Sequence, residues 1–188
     1  MSDKYKIREP DKAYFVTMTI VQWIDVFSRP IQKKRLFASL QHCQQNKGLI
    51  IYAYCLMSSH LHMICQADEG HLLTNILRDF KTFTSKQIIQ TIQEEPESRR
   101  EWMLSAFHQA CDHLKRKQRF KVWQDGNHAK ELFSNHFIWQ KLDYIHANPV
   151  KDLIVSHPEN YLYSSARNYA ELDSMLDVVM LSRPVKTS

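Results

Sequence analysis

Glycine is scarce in this chain, with three in 188 residues, and that excludes the Gly-rich loops that cradle nucleotide phosphates. A mechanism driven by a bound nucleotide cofactor is therefore not expected. The four cysteines, Cys43, Cys55, Cys65 and Cys111, form no CxxC pair, so a structural zinc site or disulfide framework is not indicated, and reduced thiols are the simplest account. Long apolar runs are missing too. The longest, Leu49 to Met57, is nine residues, far too short to span a bilayer, and the first residues lack an apolar signal core. A cytoplasmic protein without membrane contact is the expectation. No repeat, low-complexity tract or linker divides the sequence, which reads as one domain over 1–188 with a core of about 14–170 and a tail, 171–188, of unassigned role.

What is present is basic and apolar in useful proportion. A 44% hydrophobic content can supply a sizeable core, and a formal charge of +5 favours an anionic partner. Basic residues cluster on one side of a long helical pattern, at Arg78, Lys81 and Lys86. They recur in the run Lys115-Arg116-Lys117-Gln118-Arg119-Phe120-Lys121, beside Trp123. Such residues can neutralise DNA phosphates while aromatics stack on unpaired bases. For Trp123 a core anchor is the simpler role.

Histidine is where the chemistry starts. His60-Leu61-His62 lies in an apolar run, and in a strand two side chains two apart share a face. The polar face would carry His60, His62, Ile64 and Gln66, and the apolar face of Leu61, Met63 and Cys65 is the one expected to be buried. The paired nitrogens could share one divalent cation. With ten histidines, about 0.5 such pairs arise by chance, so the pair needs company. It comes from Asp143-Tyr144-Ile145-His146-Ala147-Asn148-Pro149, which reads as a helix end: Ser134 as N-cap, apolar Phe137, Ile138, Leu142 and Ile145 at helical spacing, and Pro149 as the stop. Tyr144 and Asn148, four apart, would then share a face. A phenol of ordinary acidity is ionised to only about one part in a thousand at neutral pH, so a nucleophilic tyrosine needs help. His146 is a candidate general base, although two residues along a helix points it away from Tyr144.

The segments Tyr54 to His62, Trp123-Gln124 and Leu142 to Val150, followed by His157-Pro158-Glu159-Asn160-Tyr161 and Tyr163-Ser164-Ser165-Ala166, resemble the IS200-like single-tyrosine (HUH-type) transposases, in their REP-associated tyrosine transposase branch. The likeness spans about residues 14–170. It implies a metal-dependent single-stranded DNA transposase and endonuclease that cleaves and rejoins DNA through a covalent phosphotyrosine. Tyr144 would be the nucleophile; His60, His62 and Asn148 would hold Mg²⁺ or Mn²⁺; the partner would be hairpin-containing single-stranded DNA, with a homodimer possible. Ser59 stands where relatives often carry asparagine, which puts any supporting role of that position in doubt. Two alternatives are a non-catalytic DNA-binding regulator of the same fold and a metal-dependent hydrolase in which water attacks.

The pattern along the chain predicts a strand over 14–23, a helix over 31–46, a hairpin of strands 50–55 and 60–66, and a helix over 72–93. A further helix is expected around Trp102 to Phe107, with a strand over 120–123. Strands paired around long helices make an α+β sandwich with a mainly antiparallel sheet. The resemblance sharpens this to a ferredoxin-like two-layer arrangement with helices packed on the sheet.

Overall fold

A computed structural model describes residues 7–112 and 118–182. Aromatic and β-branched side chains at Tyr14–Thr19 make the first strand, β1. Pro30, placed in the first turn where its missing N–H is no loss, opens α1 (Pro30–Asn46). Gly48 ends the connection with a left-handed φ of +68°, at a point where a Cβ would lie 2.6 Å from His71 Nδ1. A hairpin follows, β2 (Leu49–Leu56) and β3 (His60–Ala67), closed at Ser58-Ser59 by a Met57 N–H to His60 carbonyl bond of 2.8 Å. Then come α2 (Leu73–Glu94), α3 (Arg100–Gln109), β4 (Lys130–Glu131), α4 (Asn135–Lys151) and the short α5 (Ala166–Tyr169).

The sheet order is β2-β3-β1-β4, every pairing antiparallel. This is the ferredoxin-like βαββαβ connectivity, with α3 added before β4. The α+β, mainly antiparallel architecture expected from the sequence is present. The layering is fuller than a two-layer sandwich. Val16, Met18, Leu61 and Met63 join the core formed with Leu36, Leu40, Ile76 and Phe80 of α1 and α2. Phe15, Ala53, Cys55 and Ile64 point the other way and pack with Leu142 and Ile145 of α4. The histidine face of β3 is therefore covered as well, and His62 is only 4% exposed.

Three boundaries differ from the sequence reading. β1 stops at Thr19 because Val21–Trp23 turns into a single 3-10 turn. Phe120 to Trp123 is not a strand. The chain runs beside β1 irregularly, through Val21 N–H to Val122 O and Gln124 N–H to Thr19 O bonds of 2.8 Å, and positive φ at Gly126 and His128 delays regular pairing until Lys130. Helix α4 runs two residues past Pro149, since a proline in the last turn forfeits little beyond its own N–H bond and Asp152 N–H still reaches Asn148 O at 3.0 Å.

The segment after α5 also belongs to the packed body. Leu176 is buried, Val179 N–H bonds Ile51 O at 2.9 Å, and Gln44 reaches Asp177 O at 2.8 Å. With Tyr163 O and Ser165 N–H bonded to Leu56 and Tyr54, this stretch occupies the free edge of β2. All four cysteines are buried free thiols. Among the described residues no helix is long and apolar enough to cross a membrane.

Candidate active site

Register places His60 opposite Thr19 and His62 opposite Thr17 on β1. The Thr17 hydroxyl lies 2.9 Å from His62 Nδ1, and the Ser59 hydroxyl 3.2 Å from His60 Nδ1. With each Nδ1 engaged, each Nε2 is the nitrogen left to act as a ligand. The ring centroids are 4.7 Å apart. His62 Nε2 is buried with no hydrogen-bond partner, a situation that ordinarily costs about 1–3 kcal/mol and that a cation would relieve. Burial pushes the His62 imidazole down to about 3, with the charges of His60 and Lys141 adding to the effect. Burial lowers His60 also, opposed by the Asp152 carboxylate. Both rings are therefore neutral at pH 7, the state that donates a lone pair. The residues present fit a divalent ion in this respect. Ser59, whose supporting role the sequence left in doubt, places its hydroxyl beside a ring nitrogen of His60.

Helix α4 brings Tyr144 over this pair. Ser134 caps it by accepting from Phe137 N–H at 3.3 Å, and Leu142 and Ile145 anchor its inner face. The Tyr144 ring stands edge-on to His62 with centroids 5.3 Å apart and edge-on to Phe15 at 5.9 Å. It is 38% exposed, unlike the histidine beneath it. The Lys141 and Lys151 ammonium groups sit 5.5 and 5.4 Å from its centroid, two cations against one ring. Asn148 donates its amide N–H to Tyr144 O at 2.6 Å. That contact identifies the amide nitrogen and does not engage the amide oxygen. Among the described residues no hydrogen bond ties Asn148 to either imidazole, and no group of three His, Cys, Asp or Glu side chains assembles around a metal position.

A family model for IS200-like transposases matches residues 13–110, more than half the chain. The chain belongs to the IS200-like transposase family. The match contains His60 and His62 and ends before Tyr144. Membership makes it a DNA transposase, an enzyme that transfers DNA strands. Among solved structures, a REP-associated tyrosine transposase bound to a REP hairpin superposes with a TM-score of 0.65 at 17% identity, covering 100% of this chain and 99% of that one. A putative transposase from Deinococcus radiodurans R1 gives a TM-score of 0.43 at 16% identity, over 77% of this chain and 95% of that one. No curated protein matches the chain.

In this transposase His146 faces away from Tyr144. It is buried, with Nε2 2.9 Å from Ser165 Oγ and its ring edge-on to Tyr169 at 5.1 Å. A general-base role is thus not supported by its placement. Burial holds its imidazole down to about 4 against an ordinary value near 6.5. Between those values the unfolded chain binds the proton and the folded chain does not, so stability rises with pH through that window and falls on acidification. Urea unfolding at pH 7 and pH 4.5 should show His146→Gln losing ~2 kcal/mol less than the parent across the interval. Equal losses would mean that His146 protonates freely in the fold.

The basic residues gather around a groove of about 1020 Å³ between α2 and residues 118–127. Arg78, Lys81, Lys86, Arg119 and Lys121 line it. They are not equivalent. Lys81 donates to Gln124 O and Gly126 O at 2.7 and 2.8 Å, its pKa lowered to about 8 chiefly by burial, and so staples the 118–127 segment to α2. Lys121 pairs with Asp125 at 2.7 Å and Arg78 with Asp79 at 3.0 Å, whereas Lys86 and Arg119 are exposed on the groove. Lys115, Arg116 and Lys117 lie outside the described residues. Trp123 takes the core role: it is 4% exposed, lies between Phe27 and Phe80, and donates Nε1–H to Thr84 Oγ1 at 3.0 Å.

Several site neighbours escaped the sequence reading. Thr17, Lys141, Lys151 and Asp152 carry no motif of their own and become visible only through β1–β3 register and α4 packing. Trp23 is another. Read as the end of a strand, it instead follows Gln22 into left-handed backbone, φ 53° and 56°, a conformation costing a non-glycine residue roughly 1 kcal/mol or more. Its indole is 60% exposed and stands edge-on to His60 with centroids 5.3 Å apart.

Proposed function

We propose that this transposase cuts and rejoins single-stranded DNA by attack of the Tyr144 hydroxyl on a backbone phosphate, with His60 and His62, and with Asn148 as third donor, holding a divalent ion. What supports the reading most directly is one juxtaposition: the unpartnered Nε2 of His62 beneath a half-open tyrosine ring 5.3 Å away. Mg²⁺ or Mn²⁺ suits a set that mixes imidazole with an amide oxygen, and a bound ion would polarise the scissile phosphate and stabilise charge as the bond breaks.

The chain's own residues supply the rest. Thr17 and Ser59 hold the imidazoles in the tautomer that presents Nε2. Lys141 and Lys151 attract the phosphodiester to the tyrosine. Phe15, stacked on His62 at 5.6 Å and edge-on to Tyr144, fixes both rings in one arrangement. The Tyr144 oxygen forms a bond to phosphorus, and the departing strand leaves as a hydroxyl. Attack by a free DNA hydroxyl on the phosphotyrosine reverses the step and returns the tyrosine, so no nucleotide is consumed. His60, His62 and Tyr144 come from one chain, so the reading requires no partner subunit. Hairpin DNA is the substrate class we infer, because the structurally similar REP-associated transposase was solved with a REP hairpin. The exposed basic side chains of the α2 groove are suited to hold such a duplex.

The test is a denaturing-gel assay on a labelled hairpin oligonucleotide with single-stranded arms, taken from the DNA flanking the gene, in Mn²⁺, Mg²⁺ or chelator. A metal-dependent covalent band that is absent in Tyr144→Phe is expected. Binding without any band favours the non-catalytic regulator, and cleavage persisting in Tyr144→Phe favours the hydrolase.

A further inference from the structure

From the segment that follows β1 we infer that Trp23 is a stacking platform for an unpaired base next to the scissile phosphate, a substrate-positioning residue of the transposase. The inference rests on the proposed site at His60, His62 and Tyr144 and adds to it the means by which the strand is aligned there.

The apolar neighbours of Trp23 along the segment have folding roles, and only the polar Gln22 beside it is exposed as it is. Val21, Ile24, Val26 and Phe27 are buried, while the indole between them is 60% exposed. Core packing therefore does not explain the tryptophan. Solvent exposure of an indole is unfavourable, and so is the left-handed backbone shared by Gln22 and Trp23. Two costs at one residue beside a reaction centre point to a ligand that uses it.

The surroundings make the platform rigid. Ile20 N–H bonds Ser59 O at 2.9 Å, Val21 N–H bonds Val122 O at 2.8 Å, and Phe27 N–H bonds Ser58 O at 2.9 Å, so the segment is tied to the turn that carries His60. On its far side Asp25 pairs with Arg99 at 2.6 Å and Arg29 with Glu97 at 2.9 Å. Glu97 is held down to about 2, first by the Arg29 hydrogen bond, and stays charged at working pH. The indole and the His60 ring cross at an interplanar angle of 74° with centroids 5.3 Å apart, so adjoining the histidine pair is an indole 60% open to solvent. A DNA base has a π-face of any sequence to set on it, and such stacking typically contributes enough to change affinity about five-fold to about a hundred-fold.

The experiment is a coupling measurement on the hairpin oligonucleotide with single-stranded arms, bound in the Tyr144→Phe background so that no cleavage intervenes. Abasic sites are placed one at a time along the arms, and affinities are measured for Trp23, Trp23→Tyr and Trp23→Ala. One arm position is expected where the abasic site weakens binding at least five-fold with Trp23 and has no further effect in Trp23→Ala, with Trp23→Tyr retaining part of the coupling. Additive effects at every position overturn the inference. So does an unchanged affinity in Trp23→Ala together with a raised Mn²⁺ requirement for cleavage, which would make the indole a prop for His60. Adduct formation with Tyr144 restored is scored separately. Adduct without coupling sinks the platform and leaves the tyrosine mechanism standing, whereas coupling without adduct does the reverse.

Discussion

Replacing His62 with alanine is expected to cut metal-dependent strand cleavage by more than about 100-fold while leaving hairpin binding nearly intact. The scale follows from its supporting residue, since disturbing a side chain that merely orients a ligand typically costs 10- to 100-fold in metal affinity or activity, and losing the ligand should exceed that. Thr17→Val supplies the comparison. It removes the hydroxyl 2.9 Å from His62 Nδ1 without changing the volume at β1, and frees the imidazole to place its proton on either nitrogen. Its cleavage should fall by about 10- to 100-fold and recover partly at high Mn²⁺, whereas His62→Ala should not recover. Cleavage rates across a Mn²⁺ titration decide the matter. If both variants cut at the parent rate, the histidine pair is packing and the ion is held elsewhere.

The largest stability effect belongs to Trp123. Truncation to alanine removes a buried ring packed against Phe27 and Phe80 and leaves a cavity in the core shared with α1 and α2. Such a change costs about 3–5 kcal/mol, which for a chain of this length lowers the melting temperature by roughly 10 °C. Trp123→Phe should cost much less. It gives up the Nε1–H to Thr84 bond of 3.0 Å, but the Thr84 hydroxyl keeps its bond to Phe80 O at 2.7 Å and is not stranded. Calorimetry on both variants gives the comparison, and an alanine variant as stable as the parent would mean that the 118–127 segment is not held by its tryptophan.

Those two residues also mark what could and could not be read from the chain alone. Local chemistry was legible: Ser134 as the α4 cap, the Ser58-Ser59 turn, the shared face of His60 and His62, and the turning of His146 away from Tyr144 all follow from spacing of a few residues. Long-range packing was not. That α4 would bury the histidine face depends on a helix about eighty residues later in the sequence, and nothing in the alternation of β3 announces a second covered face. The early end of β1 was hidden because Val21, Trp23 and Ile24 have strand composition, and only the ties of Ile20 to Ser59 and of Val21 to Val122 bend the segment away. The role of residues 171–182 was equally hidden. They have little periodicity of their own, and take their order from the β2 edge they cover.

The central claim is that Tyr144 becomes covalently joined to DNA, and one measurement addresses it without inference from variants. Wild-type protein incubated with the hairpin oligonucleotide and Mn²⁺, digested with nuclease and protease and analysed by tandem mass spectrometry, should yield a nucleotide-modified peptide with the adduct on Tyr144 and none in chelator. Modification on another tyrosine, or cleaved DNA with every tyrosine unmodified, would contradict the account.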